Sequence, residues 1–275
     1  MKRRALVTGA TGFVGRQVLA SLLEKGAEVV PVVRPESVGK LPASPDIETP
    51  IFTVDLFAES DSWWQHRLRG IDVLVHVAWY AEPGQYQFST ENMNCLIGTL
   101  RMAQAAAQAG VKRFVGVGSC FEYAQSQYPL SADSPLAASS PYAASKAAVY
   151  FALSQLLPQY GTEFAWCRLF YLFGEGEDAR RLVSTLRKHL GEGRTVDLTS
   201  GTQVRDFLDV SEAGRQIAAV ALSDKTGAVN ICSGKPLTVR ALAESMADEY
   251  GRRDLLRFGA RKDNPVDPPF VVGVR

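Results

Sequence analysis

The chain has 275 residues, 46% of them hydrophobic, enough for one large core or a core with a small appended lobe. Its 30 basic and 29 acidic side chains leave a formal net charge of +1, which removes the electrostatic reason to expect nucleic acid or an anionic membrane as partner. Cys95, Cys120, Cys167 and Cys232 have no paired spacing and suit a reducing compartment, and the dispersed His66, His76 and His189 point to no metal site. The opening MKRRALVTGA reaches glycine too soon for a signal peptide. No stretch approaches the ~20 apolar residues of a membrane span, so a cytoplasmic protein is expected.

Short apolar runs alternate with amphipathic segments. Residues 5–8 read as a strand, 13–25 as a helix and 29–33 as a second strand. A proline-dotted loop over 35–50 leads to further strands at 51–54 and 73–76. An alanine-rich helix over 98–109 ends at Gly110, a strand follows at 114–117, and a helix runs from Tyr142 to about residue 159 before a strand at 164–169. This order predicts a Rossmann-type α/β fold, a doubly wound parallel sheet, over residues 1–173. Beyond Gly174 the rhythm loosens: a helix near 180–190, the strand-like RTVDL, RDFLDV leading into a helix, VNIC, a helix over 238–250 and a closing FVVGVR. Residues 174–275 are expected to form mainly a smaller substrate-binding lobe interleaved with the first.

In TGATGFVG, Gly9, Gly12 and Gly15 follow a strand and open a helix, the context in which such glycines serve a dinucleotide. The first permits the tight turn, the second lets backbone approach a pyrophosphate, and the third lets helix and sheet pack closely. The helix N-terminus then offers unpaired N–H groups to the phosphates. Thr11, Phe13 and Val14 belong to the same expected contact, as do Asp55, placed to meet the adenine, and Leu56. At the end of the second strand, where a carboxylate would bind the ribose of NAD, stand Arg34 and then Ser37. A guanidinium and a hydroxyl suit a 2′-phosphate, so NADP(H) is preferred; if Arg34 is only a surface arginine, NAD(H) remains open.

Tyr142 and Lys146 stand four residues apart in SPYAASK, on one helix face. A free phenol, with a pKa near ~10, is a poor base at neutral pH, and a fixed ammonium nearby favours its ionised form. The pair therefore reads as an acid/base with its electrostatic support.

With the glycine loop, Ser119 in GVGSCFEYA, SPYAASK and RDFLDV in order, the chain resembles the extended short-chain dehydrogenases/reductases, in their nucleotide-sugar epimerase, dehydratase and 4-ketoreductase branch. The likeness implies that Ser119 hydrogen-bonds the substrate oxygen, Tyr142 is the acid/base, and Lys146 lowers its pKa and holds the nicotinamide ribose. It also implies that Ala78 in VHVAWY and Asn94 in ENMNCLIGT line the cofactor or support its lysine. Arg205 and Arg261 of RKDNPVDPP resemble arginines that bind a sugar nucleotide's diphosphate, although each suits a surface ion pair as well. Relatives pair the helices carrying Gly98 and Tyr142 in a four-helix bundle, so a homodimer is expected.

Departures from the family pattern choose among reactions. Dehydratases of this branch carry an acidic pair directly after the catalytic hydroxyl, where this chain has Cys120 and Phe121; Glu122 comes one position later and is expected among the substrate contacts. Dehydration is therefore disfavoured. Tyr171 in RLFYLFG replaces an asparagine that contacts the nucleotide sugar in many relatives. Trp79 and Tyr80, at the carboxyl edge of the sheet, could form with Tyr123 an aromatic wall for a deoxy sugar, or could be core aromatics. The expected activity is NADPH-dependent reduction of a nucleotide-linked 4-keto-6-deoxysugar. The rivals are an NAD-dependent 4-epimerase and a non-catalytic dinucleotide-binding sensor or scaffold.

Overall fold

A computed structural model describes residues 2–264 and 267–275, so Pro265 and Val266 of RKDNPVDPP lie outside the described residues. The first half alternates β1 (Arg4–Thr8), α1 (Gly15–Glu24), β2 (Glu28–Val33), β3 (Ile51–Phe52), α2 (Asp61–Arg67), β4 (Val73–His76) and α3 (Glu91–Gln108). It continues through β5 (Arg113–Ser119), α4 (Pro141–Leu156) and β6 (Glu163–Leu169). The remainder comprises β7 (Tyr171–Phe173), α5 (Leu182–Gly191), β8 (Val196–Leu198), β9 (Val204–Asp209), α6 (Val210–Ala221) and β10 (Gly227–Ile231). Last come β11 (Pro236–Thr238), α7 (Val239–Glu249), β12 (Leu256–Phe258) and β13 (Phe270–Val271).

Seven strands form one sheet in the order β10-β6-β5-β4-β1-β2-β3, and every neighbouring pair is parallel. A strand inside such a sheet is covered on both faces and can be apolar throughout. β4 and β5 accordingly have no exposed residue. On one side Val18, Leu19 and Leu22 of α1 pack with Ile217, Ala218 and Ala221 of α6; on the other Trp64, Met102, Val149 and Leu153 cover the sheet from α2, α3 and α4. The strand order reverses between β1 and β4, where a doubly wound sheet opens a crevice beyond its carboxyl ends. The glycine loop leaves β1 there, and Ala78 lies two residues beyond β4.

Residues 174–275 divide between this body and a second core. α6 returns to α1, where a Cβ on Gly214 would stand 2.6 Å from the Gln17 backbone, and β10 extends the main sheet beside β6. The rest packs α5 and α7 around Leu186, Leu198, Met246 and Ala247, with a small sheet of β11, β9 and β13, joined by β7. Asp206 of β9, wholly buried, accepts N–H groups from Ser233, Gly234 and Gly273 at 2.7, 2.8 and 3.2 Å and so ties that small sheet to the end of β10.

Several boundaries differ from the expectation. α3 begins seven residues early because its first turn, Glu91-Asn92-Met93-Asn94, has no apolar stripe; Gly98 lies inside the helix, where a Cβ would meet Phe57 at 2.5 Å. α4 stops at Leu156 and a 3-10 turn containing Pro158 follows. α2 was not expected at all: it is seven residues long and buries only Trp64, and it starts where the Ser60 hydroxyl accepts the Trp63 N–H at 3.2 Å. Among the described residues no helix is long and apolar enough to cross a membrane.

Candidate active site

The glycine loop leaves no room for side chains. Gly9 has φ +68, and a Cβ there would lie 2.8 Å from the Ala78 nitrogen; at Gly15 it would lie 1.9 Å from the Gly9 carbonyl oxygen. At Gly12 the same carbonyl would be 3.3 Å away. Ala78 is fixed from the other side, its N–H donating to Thr8 Oγ1 at 3.3 Å. Val14 offers α1 no side-chain cap; the Arg16 and Gln17 N–H groups bond to the Gly12 and Val14 carbonyls at 3.1 Å each, and the positive end of the helix faces the glycine turn, as suits a pyrophosphate. Thr11, Phe13 and Val14 are half-buried around this turn. Arg34 is exposed at the end of β2, with Ser37 in the following 3-10 turn. Asp55, exposed just beyond β3, accepts the Phe57 N–H at 3.0 Å, and Leu56 packs half-buried against the core. These cradles and donors fit a dinucleotide.

At the end of β5 the chain turns under Ser119. The Glu122 carboxylate, wholly buried, accepts the Ser119 N–H at 2.7 Å, the Trp166 indole at 3.0 Å and Arg168 Nε at 2.9 Å, while Ser119 Oγ accepts the Phe121 N–H at 3.2 Å. Gly118 makes space for this: a Cβ would lie 2.2 Å from Trp166 Nε1 and 2.4 Å from Glu122 Oε1. Glu122 therefore does not face a substrate, contrary to expectation, because its position on the turn points it into the core.

Tyr142 follows Ser140, whose hydroxyl accepts the Ala143 N–H at 3.3 Å and starts α4. Its phenol lies close to the Ser119 side chain, and Tyr86 stands edge-on with ring centroids 4.8 Å apart. Burial raises the Tyr142 pKa, the charge of Tyr86 adds to that, and Ser119 works in the opposite direction. Lys146, one turn on, is 2% exposed and donates from Nζ to the Val117 carbonyl at 2.6 Å. Its ammonium lies 3.7 Å from the Trp79 ring centroid and 6.0 Å from that of Tyr142. Burial lowers its pKa to about 7, against the pull of Glu122 and Cys95. Beneath it His76 is held between Thr8 at 2.8 Å and Thr99 at 3.0 Å, neutral because burial and the Lys146 charge lower its pKa to about 3. Cys120, beside the serine, is an unreactive thiol whose pKa burial raises to about 12.

Other expected residues are redistributed. Asn94 is exposed and donates to Glu91 at 3.1 Å; the buried neighbour is Asn92, which accepts the Trp79 indole N–H at 2.9 Å and donates to the Tyr86 and Ser89 carbonyls. Helix phase turns one asparagine inward and the other out, and a start placed at Gly98 hid that phase. The aromatic wall does not assemble. Tyr123 is buried and donates to Asn230 at 2.6 Å, and Trp79, half-buried like Tyr80, lies over Lys146. Tyr171 lies between Phe121 and Phe207, each 6.1 Å away, under the Arg205 guanidinium at 5.1 Å. Its hydroxyl is buried without a hydrogen bond, whereas Arg205 Nη2 is ion-paired with Asp267. Arg205 is 2% exposed, with Asp267 2.8 Å away. Arg261 is exposed, its N–H bonded to Leu198, and no contact joins it to Arg205. Tyr86, Asn92, Trp166 and Arg168 carry no motif; their roles arise from long-range packing.

A parallel sheet reversing at β1/β4, a glycine cradle at that point, and Ser119, Tyr142 and Lys146 gathered beside it define an extended short-chain dehydrogenase/reductase. The family model of the NAD dependent epimerase/dehydratase family matches residues 5–232, and the chain belongs to that family. It is 26% identical to dTDP-6-deoxy-L-talose 4-dehydrogenase (NAD(+)) of Aggregatibacter actinomycetemcomitans, over 98% of this chain and 99% of that one. A dTDP-4-dehydro-6-deoxy-D-allose reductase of Streptomyces bikiniensis is 24% identical, covering 97% and 86%. Among solved structures, UDP-N-acetylglucosamine 4-epimerase from Methanobrevibacter ruminantium M1, in complex with UDP-N-acetylmuramic acid, matches with TM-score 0.86 at 24% identity, over 100% of this chain and 90% of that one. The chain is an enzyme of this oxidoreductase and epimerase family, whose members resembling it include nucleotide-sugar 4-dehydrogenases, 4-keto reductases and 4-epimerases.

Replacing Glu122 by Ala should destabilise the fold by about 3–5 kcal/mol, because the buried Arg168 loses its counter-charge. Urea unfolding would measure it; a midpoint equal to that of the wild type would contradict the anchoring.

Proposed function

We propose that the enzyme reduces a nucleotide-linked 4-keto-6-deoxysugar, with NADPH as the exchangeable reductant. The observation that carries the reading is Tyr142, close to Ser119 at the carboxyl edge of the sheet, beside a glycine cradle whose second-strand end carries Arg34 in place of a carboxylate. A 4-dehydrogenase and a 4-keto reductase run the same chemistry in opposite directions, and both occur among the relatives.

The glycine loop and the α1 N-terminus would hold the pyrophosphate, Arg34 and Ser37 the 2′-phosphate, and Lys146 the nicotinamide ribose. When bound, the reduced dinucleotide supplies a hydride to the keto carbon. Ser119 would donate a hydrogen bond to the keto oxygen, and Tyr142 would give up its phenolic proton as negative charge builds there. The raised pKa of Tyr142 suits an acid, since the proton stays on the phenol until the alkoxide demands it. Ser119 is buried and Tyr142 half-buried, which limits the water that can compete for that proton. Glu122, fixed beneath the serine, cannot return a proton to a neighbouring carbon, which speaks against dehydration. Tyr171, whose hydroxyl is unpaired, and the adjacent Arg205, ion-paired to Asp267, are the groups offered to the nucleotide sugar and diphosphate.

Phe88, Met93, Ile97 and Phe151 are 43% to 73% exposed along α3 and α4 and the segment before them, and a groove with Pro141, Ala144 and Ala148 runs between the two helices. Such an apolar face supports a homodimer through these helices.

Tyr142→Phe should lower turnover about 10²- to 10⁴-fold while dinucleotide binding survives; unchanged turnover contradicts the assignment. Parallel titrations should give at least about tenfold tighter binding of NADPH than of NADH, and Arg34→Ala should bring the two level. Equal affinities in the wild type would return the cofactor to NAD. Sedimentation should give twice the chain mass, lost on Met93→Asp; a wild-type monomer contradicts the dimer.

A further inference from the structure

Lys146 is a buried cation with no carboxylate paired to it. Its ammonium has one hydrogen bond, to the Val117 carbonyl, and the rest of its surroundings is aromatic: Trp79 at 3.7 Å, Trp166 at 5.7 Å and Tyr142 at 6.0 Å from their ring centroids. A cation over the face of a tryptophan is attracted by the ring quadrupole, and more strongly where water is excluded. Trp79 is not free to swing away. Its indole N–H donates to Asn92 Oδ1, and Asn92 is 1% exposed, with its amide donating to the Tyr86 and Ser89 carbonyls at 2.6 and 2.8 Å. Phe57 supports the same ring edge-on at 6.3 Å, and Tyr142 meets it edge-on at 6.4 Å.

We propose that Trp79, tethered by Asn92, is a positioning residue that acts as the counter-charge of Lys146 and keeps its ammonium protonated and fixed on the cofactor side of α4. The other groups around Lys146 supply that charge only in part: Glu122 and Cys95 raise its pKa, but burial outweighs them. Glu122, on the turn after β5, is committed to Ser119, Trp166 and Arg168; Cys95 on α3 is held as a neutral thiol by a pKa raised through burial. His76 on β4 is neutral, and Tyr142 on α4 keeps its proton. The depressed Lys146 pKa of about 7 reflects burial that Glu122 and Cys95 only partly offset, and the Trp79 face, 3.7 Å from the ammonium, would add to their support. The sign follows directly. A group that stabilises the charged form raises the pKa, so removing it moves deprotonation to lower pH. A tryptophan that merely shielded the lysine would do the reverse, since a smaller residue would admit water and raise the pKa.

Its consequence for turnover depends on the reductase reading above; the contact itself does not. The test is an NMR titration of protein carrying isotope-labelled lysine, with the Lys146 signal identified by its loss in Lys146→Met. Trp79→Leu should lower the Lys146 midpoint by about one pH unit, and Trp79→Phe, which keeps a ring face, by less. Asn92→Ala should act in the same direction by freeing the indole. Dinucleotide binding measured on the same proteins should match the wild type at pH about 6 and weaken in Trp79→Leu at pH about 8. A midpoint that stays put or rises in Trp79→Leu overturns the proposal. If Trp79→Phe alone folds, an unchanged midpoint there together with one in Asn92→Ala overturns it equally. A lowered midpoint with binding indifferent to pH upholds the counter-charge and rejects Lys146 as a cofactor contact.

Discussion

Buried carboxylates survive in a protein only where donors surround them, and Glu122 is surrounded by donors that would otherwise have nowhere else to go. Through it the backbone of Ser119, the indole of Trp166 and the guanidinium of Arg168 become one unit joining β5 to β6. Arg168 extends the network to the Tyr123 hydroxyl and the Ala132 carbonyl, and Tyr123 passes it to Asn230 on β10. The serine at the mouth of the cleft is thus held by strands on one side of the sheet, while the glycine loop is held by contact with Ala78 at the strand reversal. The proposed reacting groups stand between two rigid supports.

Above that base the electrostatics are set by burial more than by pairing. Tyr142 holds its proton more tightly than a free phenol and Lys146 holds its own more loosely than a free amine, both because water is excluded. The expected direct help from lysine to tyrosine does not appear among the influences on Tyr142, whose upward shift comes from burial and Tyr86. The ammonium is directed instead toward Val117 and the face of Trp79. A tyrosine with a tightly held proton is suited to protonating an alkoxide, which is the demand of ketone reduction.

Much of this was legible in the chain because it is local. A glycine loop between a strand and a helix, a tyrosine and lysine one turn apart, and alternating apolar and amphipathic segments all carry their meaning within a dozen residues. What stayed hidden depends on partners far apart in sequence. Glu122 and Tyr123 looked like substrate contacts until the strands brought Arg168 and Asn230 beside them. Asn94 read as a cofactor-lining residue because the polar first turn of α3 masks the helix phase that turns Asn92 inward. VNIC and the helix after RDFLDV read as parts of a second lobe, yet their packing places them against β6 and α1, a fact of topology that no short window contains.

The most direct measurement is an assay of the purified enzyme with a dTDP-linked 4-keto-6-deoxyhexose and NADPH, following nicotinamide absorbance and product together. Oxidation of one NADPH for each 4-hydroxy sugar formed, as a single C4 epimer, is the outcome the account requires. Interconversion of 4-hydroxy epimers of a sugar nucleotide, with the dinucleotide retained and unconsumed, would contradict it and make the enzyme an epimerase.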